Sequence, residues 1–241
     1  MRSQPAALLV HGFTGSPHEL QALGSFFCQS GYAVSLPILR GHGTNPDELR
    51  NVKPSDWLHA LEQEYRTQKL SHKRVVLVGI SFGGSLALAL AARERPDAVV
   101  CFGSPVRMRY HKPVKALLQF AHLFRQDIIK PSSGPFADEV IPGYTQRCYQ
   151  RIPIQSMLRV YQFLETVMTP SVLRRVCAPL LAIQGTHDPI ISPWSAEQIV
   201  GWSSSSTAVA KRWRDRYHLI VQGERKYELY HEVAKWLREH L

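Results

Sequence analysis

Ser81 stands in Gly79-Ile80-Ser81-Phe82-Gly83, a G-x-S-x-G pattern whose surroundings give it meaning. The strand-like run Arg74–Val78 leads into it, and a helical pattern, Gly84 to Ala92, leads out of it and stops before Pro96. A serine on a tight strand-to-helix turn is lifted above the edge of a sheet, and the flanking glycines allow the close backbone approach that the turn needs. A hydroxyl is a weak nucleophile at neutral pH. Acyl transfer at Ser81 therefore requires a base within reach, an acid that orients the base, and N–H donors for the oxyanion.

Where such an elbow carries the nucleophile, the acid and then the histidine follow it along the chain. Asp188 lies just past the strand-like Leu180–Gln184, in Gly185-Thr186-His187-Asp188-Pro189, and is the expected acid. His218, in Arg216-Tyr217-His218-Leu219-Ile220, lies between that loop and the C-terminal helix and is the expected base. Asp215 is a rival acid, more naturally paired with Arg212 or Arg214. The expected oxyanion donors are the backbone N–H of Phe82, the residue after the nucleophile, and that of Phe13, in His11-Gly12-Phe13-Thr14-Gly15 after the first strand. His11 then serves structure, and His42 in Arg40-Gly41-His42-Gly43 pins a glycine-rich turn. His59, His72, His111, His122, His231 and His240 fall in helices, between elements or in an insertion, where ordinary solvated or packed histidines are expected.

The elements that must hold these residues alternate. Strands are expected at Ala6–Val10, Tyr32–Leu36, Arg74–Val78, Ala98–Phe102, Leu180–Gln184 and Thr207–Lys211, several almost continuously apolar, as strands covered on both faces are. Ser16-Pro17-His18-Glu19 reads as a capping box opening a helix with Leu20, Leu23 and Phe27 inward and Gly31 as its stop. Trp57, Leu61 and Tyr65 mark a second helix, opening at Ser55-Asp56; Leu229, Val233, Trp236 and Leu237 mark the last, from about Glu224 to His240. The pattern predicts an α/β fold, a mostly parallel sheet flanked by helices, built as one domain over residues 1–241 with ligands at the carboxyl ends of the strands.

Residues 107–175 break the rhythm. They show no convincing strand but two helical apolar patterns, Val114 to Phe124 and Met157 to Met168, separated by a loop with Pro131, Gly134, Pro135, Pro142 and Gly143. Such an excursion reads as a helical cap, or lid, over the site. Its apolar residues Leu117, Leu118, Phe120, Phe124, Met157, Leu158, Val160, Tyr161 and Leu164 suit either an acyl pocket or packing on the core. It also carries 11 Lys+Arg against four Asp+Glu, so +7 of the chain's net +10 falls on these 69 residues. A basic lid points to an anionic lipid surface or acidic acyl substrate; no nucleic-acid reader motif accompanies the charge.

The 241 residues, 44% apolar and 20% charged, suffice for a large core. The longest apolar stretch, Leu86 to Ala92, is far shorter than the roughly 20 residues of a spanning helix. Cys28, Cys101, Cys148 and Cys177 are scattered, with no C-x-x-C pair or zinc spacing, and are expected to be small buried hydrophobes in a reducing compartment. No metal and no cofactor are expected, and a cytoplasmic location is.

His-Gly-Phe-Thr-Gly after the first strand, Gly-His-Gly after the second, Gly-Ile-Ser-Phe-Gly-Gly at the elbow, His-Asp-Pro-Ile-Ile-Ser-Pro and the late His-Leu-Ile together resemble the small bacterial carboxylesterases and monoacylglycerol lipases of the α/β-hydrolase fold. The resemblance implies Ser81 as nucleophile, Asp188 and His218 as its partners, and Phe13 and Phe82 as oxyanion-hole amides. It implies a serine carboxylic-ester hydrolase acting through an acyl-enzyme on short- to medium-chain acyl esters or monoacylglycerols. The sequence departs from the pattern at Phe82, where Met is frequent, and at Arg216-Tyr217, where small residues usually precede the histidine. The alternatives are a lysophospholipase or acyl-thioesterase that uses the basic lid, and a non-catalytic ligand-binding protein of the same fold.

Overall fold

In the computed structural model, which describes residues 4–131, 133 and 137–241, the strand-like runs assemble into one six-stranded sheet. The elements are β1 (Ala6–Val10), α1 (Gln21–Gln29), β2 (Ala33–Ser35), α2 (Pro54–Ser71), β3 (Val75–Ile80), α3 (Ser81–Ala91), β4 (Ala98–Phe102), α4 (His111–His122), β5 (Asp127–Ile129), β6 (Arg151–Pro153), α5 (Ile154–Thr166), α6 (Pro170–Leu173), β7 (Leu180–Gly185), α7 (Ser195–Trp202), β8 (Val209–Trp213) and α8 (Lys226–His240). The order across the sheet is β2-β1-β3-β4-β7-β8, with every neighbouring pair parallel. From β1 the chain goes to β2 on one side and returns to β3 on the other, so a crevice opens at the carboxyl ends of β1 and β3, where doubly wound sheets bind ligands.

The alternation of side chains assigns the two faces. Leu8, Val10 and Leu77 bury against Trp57, Leu61 and Tyr65 of α2 and Leu86 and Leu90 of α3. Leu9, Val78, Val100 and Leu181 form one register row on the other face and bury against Leu23 and Phe27 of α1 and Leu229, Val233 and Leu237 of α8. The four inner strands are buried along their whole length, whereas β2 and β8 at the edges are only partly covered. At about 1.5–3 kcal/mol per buried aliphatic side chain, these rows make the sheet a rigid platform for the loops that leave it.

Several expectations change. Ser16 and Glu19 form no capping box: a short 3-10 turn, Pro17–Leu20, precedes α1, the Ser16 side chain caps nothing, and Glu19 turns inward and is 3% exposed. The region read as strandless holds an antiparallel pair, with Asp127 opposite Pro153 and Ile129 opposite Arg151. Three-residue strands are too short to show a period of two, and this pair is fixed from outside itself. Arg50 bonds both oxygens of Asp127 at 2.7 Å, and Arg151 joins Asp127 to Asp47. Of the four cysteines, Cys101 is buried, while Cys28 and Cys177 are exposed. The expected loop residues Gly134 and Pro135 lie outside the described residues. Among those residues, no helix is long and apolar enough to cross a membrane.

Between β4 and β7 the chain leaves the sheet and builds α4 through α6. Leu118, Ile154 and Tyr161 form a small buried cluster of their own, while Val160, Phe163 and Leu164 of α5 join the core above α3. α5 is fastened to the chain before α2: Ser156 donates to the Leu49 carbonyl, and Arg159 to those of Arg50 and Val52. α4 and the turn after it keep an apolar outer face, with Leu117, Phe120, Leu123 and Phe124 between 63% and 75% exposed.

Candidate active site

β3 delivers Ser81 to the crevice. Three glycines make the turn possible: a Cβ on Gly83 would lie 2.3 Å from the carbonyl oxygens of Val10 and His11, one on Gly79 2.6 Å from the Gly83 backbone, and one on Gly84 1.8 Å from Ser104 Oγ. Ser81 itself adopts φ +49°, a left-handed conformation that costs a non-glycine residue about 1–3 kcal/mol and persists where the surroundings enforce it. The strain aims the side chain out of the turn, while the first amides of α3 are left without partners inside the helix.

β7 and β8 deliver the other two. Asp188, on the loop after β7, and His218, after β8, meet Ser81 in a continuous chain: His218 Nδ1 lies 2.8 Å from Asp188 Oδ2, and His218 Nε2 lies 2.8 Å from Ser81 Oγ. In the neutral ring, with Nδ1–H donating to the carboxylate, Nε2 is the acceptor facing the hydroxyl. Asp188 is held by three further donors, the amides of Ile190 and Ile191 at 2.8 and 2.9 Å and the Gln184 side chain at 3.0 Å. Burial pushes the Asp188 carboxyl up, but the facing His218 and those amides outweigh it, so its pKa lies below the ordinary carboxylate value. Burial pulls the His218 imidazole down; Asp188, then Glu139 and Glu19, outweigh it and raise its pKa to about 9.

The rival acid takes no part. Asp215 Oδ1 accepts the Tyr217 amide at 3.0 Å and so shapes the loop that carries His218, while Arg212 pairs with Glu197 at 2.7 Å. His11 and His42 are both buried. His11 Nε2 accepts the Leu39 amide at 3.1 Å, and burial lowers the two pKa values to about 3 and about 4, leaving neutral rings that tie the loops after β1 and β2 together. Phe13 and Phe82 stand beside each other at the head of the crevice, their rings 6.2 Å apart and T-shaped. Trp57 and Phe163 extend this aromatic wall, at 5.2 and 5.3 Å from Phe82. Beyond Phe163 lies a cavity of about 410 Å³ between the start of α2 and the α5 residues Arg159, Gln162 and Thr166.

Three residues at the site escaped the sequence reading. Gly103, directly after β4, has φ +51°, and a Cβ there would meet Asp188 Oδ2 at 3.3 Å and His218 Nδ1 at 3.4 Å; a glycine at the carboxyl end of a central strand was the available signal. Glu19 accepts the Gly12 amide at 3.0 Å, and burial raises its pKa to about 7. Its inward turn was masked by the capping-box spacing, although Gly15, where any Cβ would lie 2.0 Å from the Glu19 carboxylate, is the matching gap in the sequence. Glu139 reaches from the β5–β6 connection to the backbone of His218 and Leu219. It sits in an aperiodic stretch that offered no signal.

Known proteins resemble the chain along most of its length. A thermostable monoacylglycerol lipase of Bacillus sp. (strain H-257) is 29% identical over 214 residues, covering 89% of this chain and 82% of that protein. A carboxylesterase of Bacillus subtilis (strain 168) is 22% identical over 236 residues, covering 97% and 92%. Among solved structures, one from work on LipS and LipT, two metagenome-derived lipolytic enzymes, superposes with a TM-score of 0.86 at 25% identity over all of this chain and 96% of the other. Residues 7–225 match the alpha/beta hydrolase family, and with its parallel sheet, its serine elbow after β3 and its acid and histidine after β7 and β8, the chain belongs to that family.

Proposed function

We propose that this protein is a serine carboxylic-ester hydrolase that works through an acyl-enzyme on short- to medium-chain acyl esters or monoacylglycerols. The observation that carries the reading is the unbroken Ser81–His218–Asp188 hydrogen-bond chain, 2.8 Å at each link. In this mechanism His218 Nε2 takes the Ser81 proton as Oγ attacks the ester carbonyl. The Phe13 and Phe82 amides hold the oxyanion, and the imidazolium, steadied by Asp188, returns the proton to the leaving alcohol. Water, deprotonated by the same imidazole, then attacks the acyl-enzyme, and the imidazolium returns that proton to Ser81 Oγ as the Oγ–acyl bond breaks and the acid leaves. The residues between β4 and β7 act as a lid over this site. The Bacillus relatives bear the names monoacylglycerol lipase and carboxylesterase, which supports an ester substrate.

Two of the lid arginines are already committed, Arg151 to Asp47 and Asp127 and Arg159 to two backbone carbonyls, which counts against those two holding a substrate phosphate. The exposed apolar face of α4 suits contact with a lipid surface, and the lid's positive balance suits an anionic one. The test is hydrolysis of p-nitrophenyl esters with fluorophosphonate labelling. Ser81→Ala should lose activity by about 10⁴-fold or more and lose all labelling. Hydrolysis by Ser81→Ala at a rate comparable to wild type overturns the assignment.

A further inference from the structure

Among the described residues, Glu139 is the one carboxylate of the β4–β7 segment that hydrogen-bonds the backbone of the histidine loop. Its two oxygens accept the amides of His218 and Leu219, the latter at 2.9 Å. The segment that carries it is itself bound at several points. The Glu139 amide donates to Gln146 Oε1 at 3.0 Å, and the adjacent Asp138 accepts from Lys130 at 3.0 Å, from the Cys148 thiol at 3.1 Å and from Gln150. Lys130 and Cys148 are also in contact, at 2.9 Å. A bonded loop of this kind presents Glu139 at a fixed place, which is what a group that orients another group requires.

Two consequences follow for His218. First, amides clamped at residues 218 and 219 fix the direction in which the imidazole leaves the backbone, and with it the line from Nε2 to Ser81. Second, Glu139 places a further negative charge beside a ring that becomes cationic when it takes the serine proton. Among the described residues, the charged groups facing His218 are Asp188 from the loop after β7, Glu139 from the lid and Glu19 from the turn after β1, and Lys130 in turn faces Glu19. All three that face the ring directly are acidic.

We infer that Glu139 is a positioning residue for hydrolysis, through which the lid segment sets the orientation and the basicity of His218. The inference rests on the reading of His218 as the general base. It makes an ordered lid a condition of full activity, because the carboxylate reaches the histidine loop only when the Asp138–Lys130–Cys148 cluster is assembled.

The experiment is a pH profile of kcat/KM for wild type and Glu139→Gln on a soluble p-nitrophenyl ester, with Ser81 labelling by a fluorophosphonate and a thermal melt on each sample. Glutamine keeps one acceptor but loses the charge and turns its NH₂ toward an amide. A protonated Nε2 cannot accept from Ser81, so activity falls as pH drops through the histidine pKa. Loss of the charge should lower that pKa and move the acid limb of the profile down by about one pH unit. Misplacement of the ring should cost roughly 10- to 100-fold in kcat/KM. A purely structural role lowers activity without moving the limb, and that result overturns the inference, as does a folded Glu139→Gln with wild-type kcat/KM. Should Glu139→Gln not fold, Glu139→Asp keeps the charge and shortens the reach. It is expected to hold the limb in place and lower kcat several-fold, and unchanged kcat overturns the inference. A wild type that hydrolyses no ester and whose Ser81 is unreactive overturns the general-base reading and this inference together, whereas an active wild type matched by its Gln variant overturns only the role of Glu139.

Discussion

Replacing Gly103 with alanine adds one methyl group behind the hydrogen bond between Asp188 and His218. Two costs follow from the geometry. The backbone at φ +51° is left-handed, and a side chain there costs about 1–2 kcal/mol in stability. The new Cβ would also lie 3.3 Å from Asp188 Oδ2 and 3.4 Å from His218 Nδ1, at the close edge of what Cβ atoms show, with His218 Cε1 in ordinary contact at 3.5 Å. These neighbours are the two ends of the 2.8 Å bond that fixes the imidazole, and Asp188 is itself pinned by the Ile190 and Ile191 amides, so the ring gives way first. A shift of a few tenths of an ångström at Nε2 should lower kcat by roughly 3- to 10-fold, on the scale where 1 Å costs about 10². KM should change little, since Gly103 faces the triad from behind. Urea unfolding reads the first effect and steady-state hydrolysis the second. A Gly103→Ala protein as stable as wild type, or destabilised but with unchanged kcat, would refute the reasoning about that contact.

Glu19→Gln tests the buried carboxyl. Its folded pKa of about 7 exceeds the ordinary 4.5, so the protonated form is the one the fold prefers. Wild type should therefore lose stability as pH rises through 7, and Glu19→Gln, which keeps an acceptor for the Gly12 amide, should gain on it by up to roughly 3 kcal/mol between pH 5 and pH 9 in urea unfolding; a pH-independent difference counts against the assignment. Phe120→Ser with Phe124→Ser should leave hydrolysis of a soluble ester intact while weakening binding to phosphatidylglycerol vesicles by about 10- to 100-fold in a sedimentation assay, and unchanged vesicle binding removes α4 as the contact.

Much of this was legible because it was local. The inner strands announced themselves as continuous apolar runs, and Gly79 to Gly83 marked the elbow through residues whose need for space is visible in five positions. Asp188 and His218 could be placed near Ser81 because each lies on a loop that leaves a strand, and parallel strands deliver their following loops to one edge. What stayed hidden depended on contacts across sequence. Glu19 has the spacing of a helix cap and is turned inward by the gaps at Gly12 and Gly15. Glu139 reaches His218 across 79 residues, and the β5–β6 pair takes its place from Arg50 and Asp47, far earlier in the chain. A one-dimensional pattern carries no record of such pairings.

The excess charge of the lid is the clearest case of a sequence property whose meaning the fold alters. Counted along the chain, the +7 of residues 107–175 looks like a basic face awaiting an anion. In the structure several of those cations have internal work: Arg151 spans Asp47 and Asp127, Arg159 caps two carbonyls before α2, Arg107 binds the carbonyls of Val106 and Leu164, Lys115 pairs with Glu165, and Lys130 with Asp138. Most of these bonds run from the lid to the sheet domain's loops or between parts of the lid that must stay in register. Exposed pairs of this kind add little stability singly. Their joint effect is geometric: they decide where α5 and the β5–β6 pair sit, and so where Glu139 meets the histidine loop. The charge imbalance thus bears first on how the β4–β7 segment is seated on the loops around β1 to α2, and only through the remaining cations and the apolar face of α4 on what the protein meets outside itself.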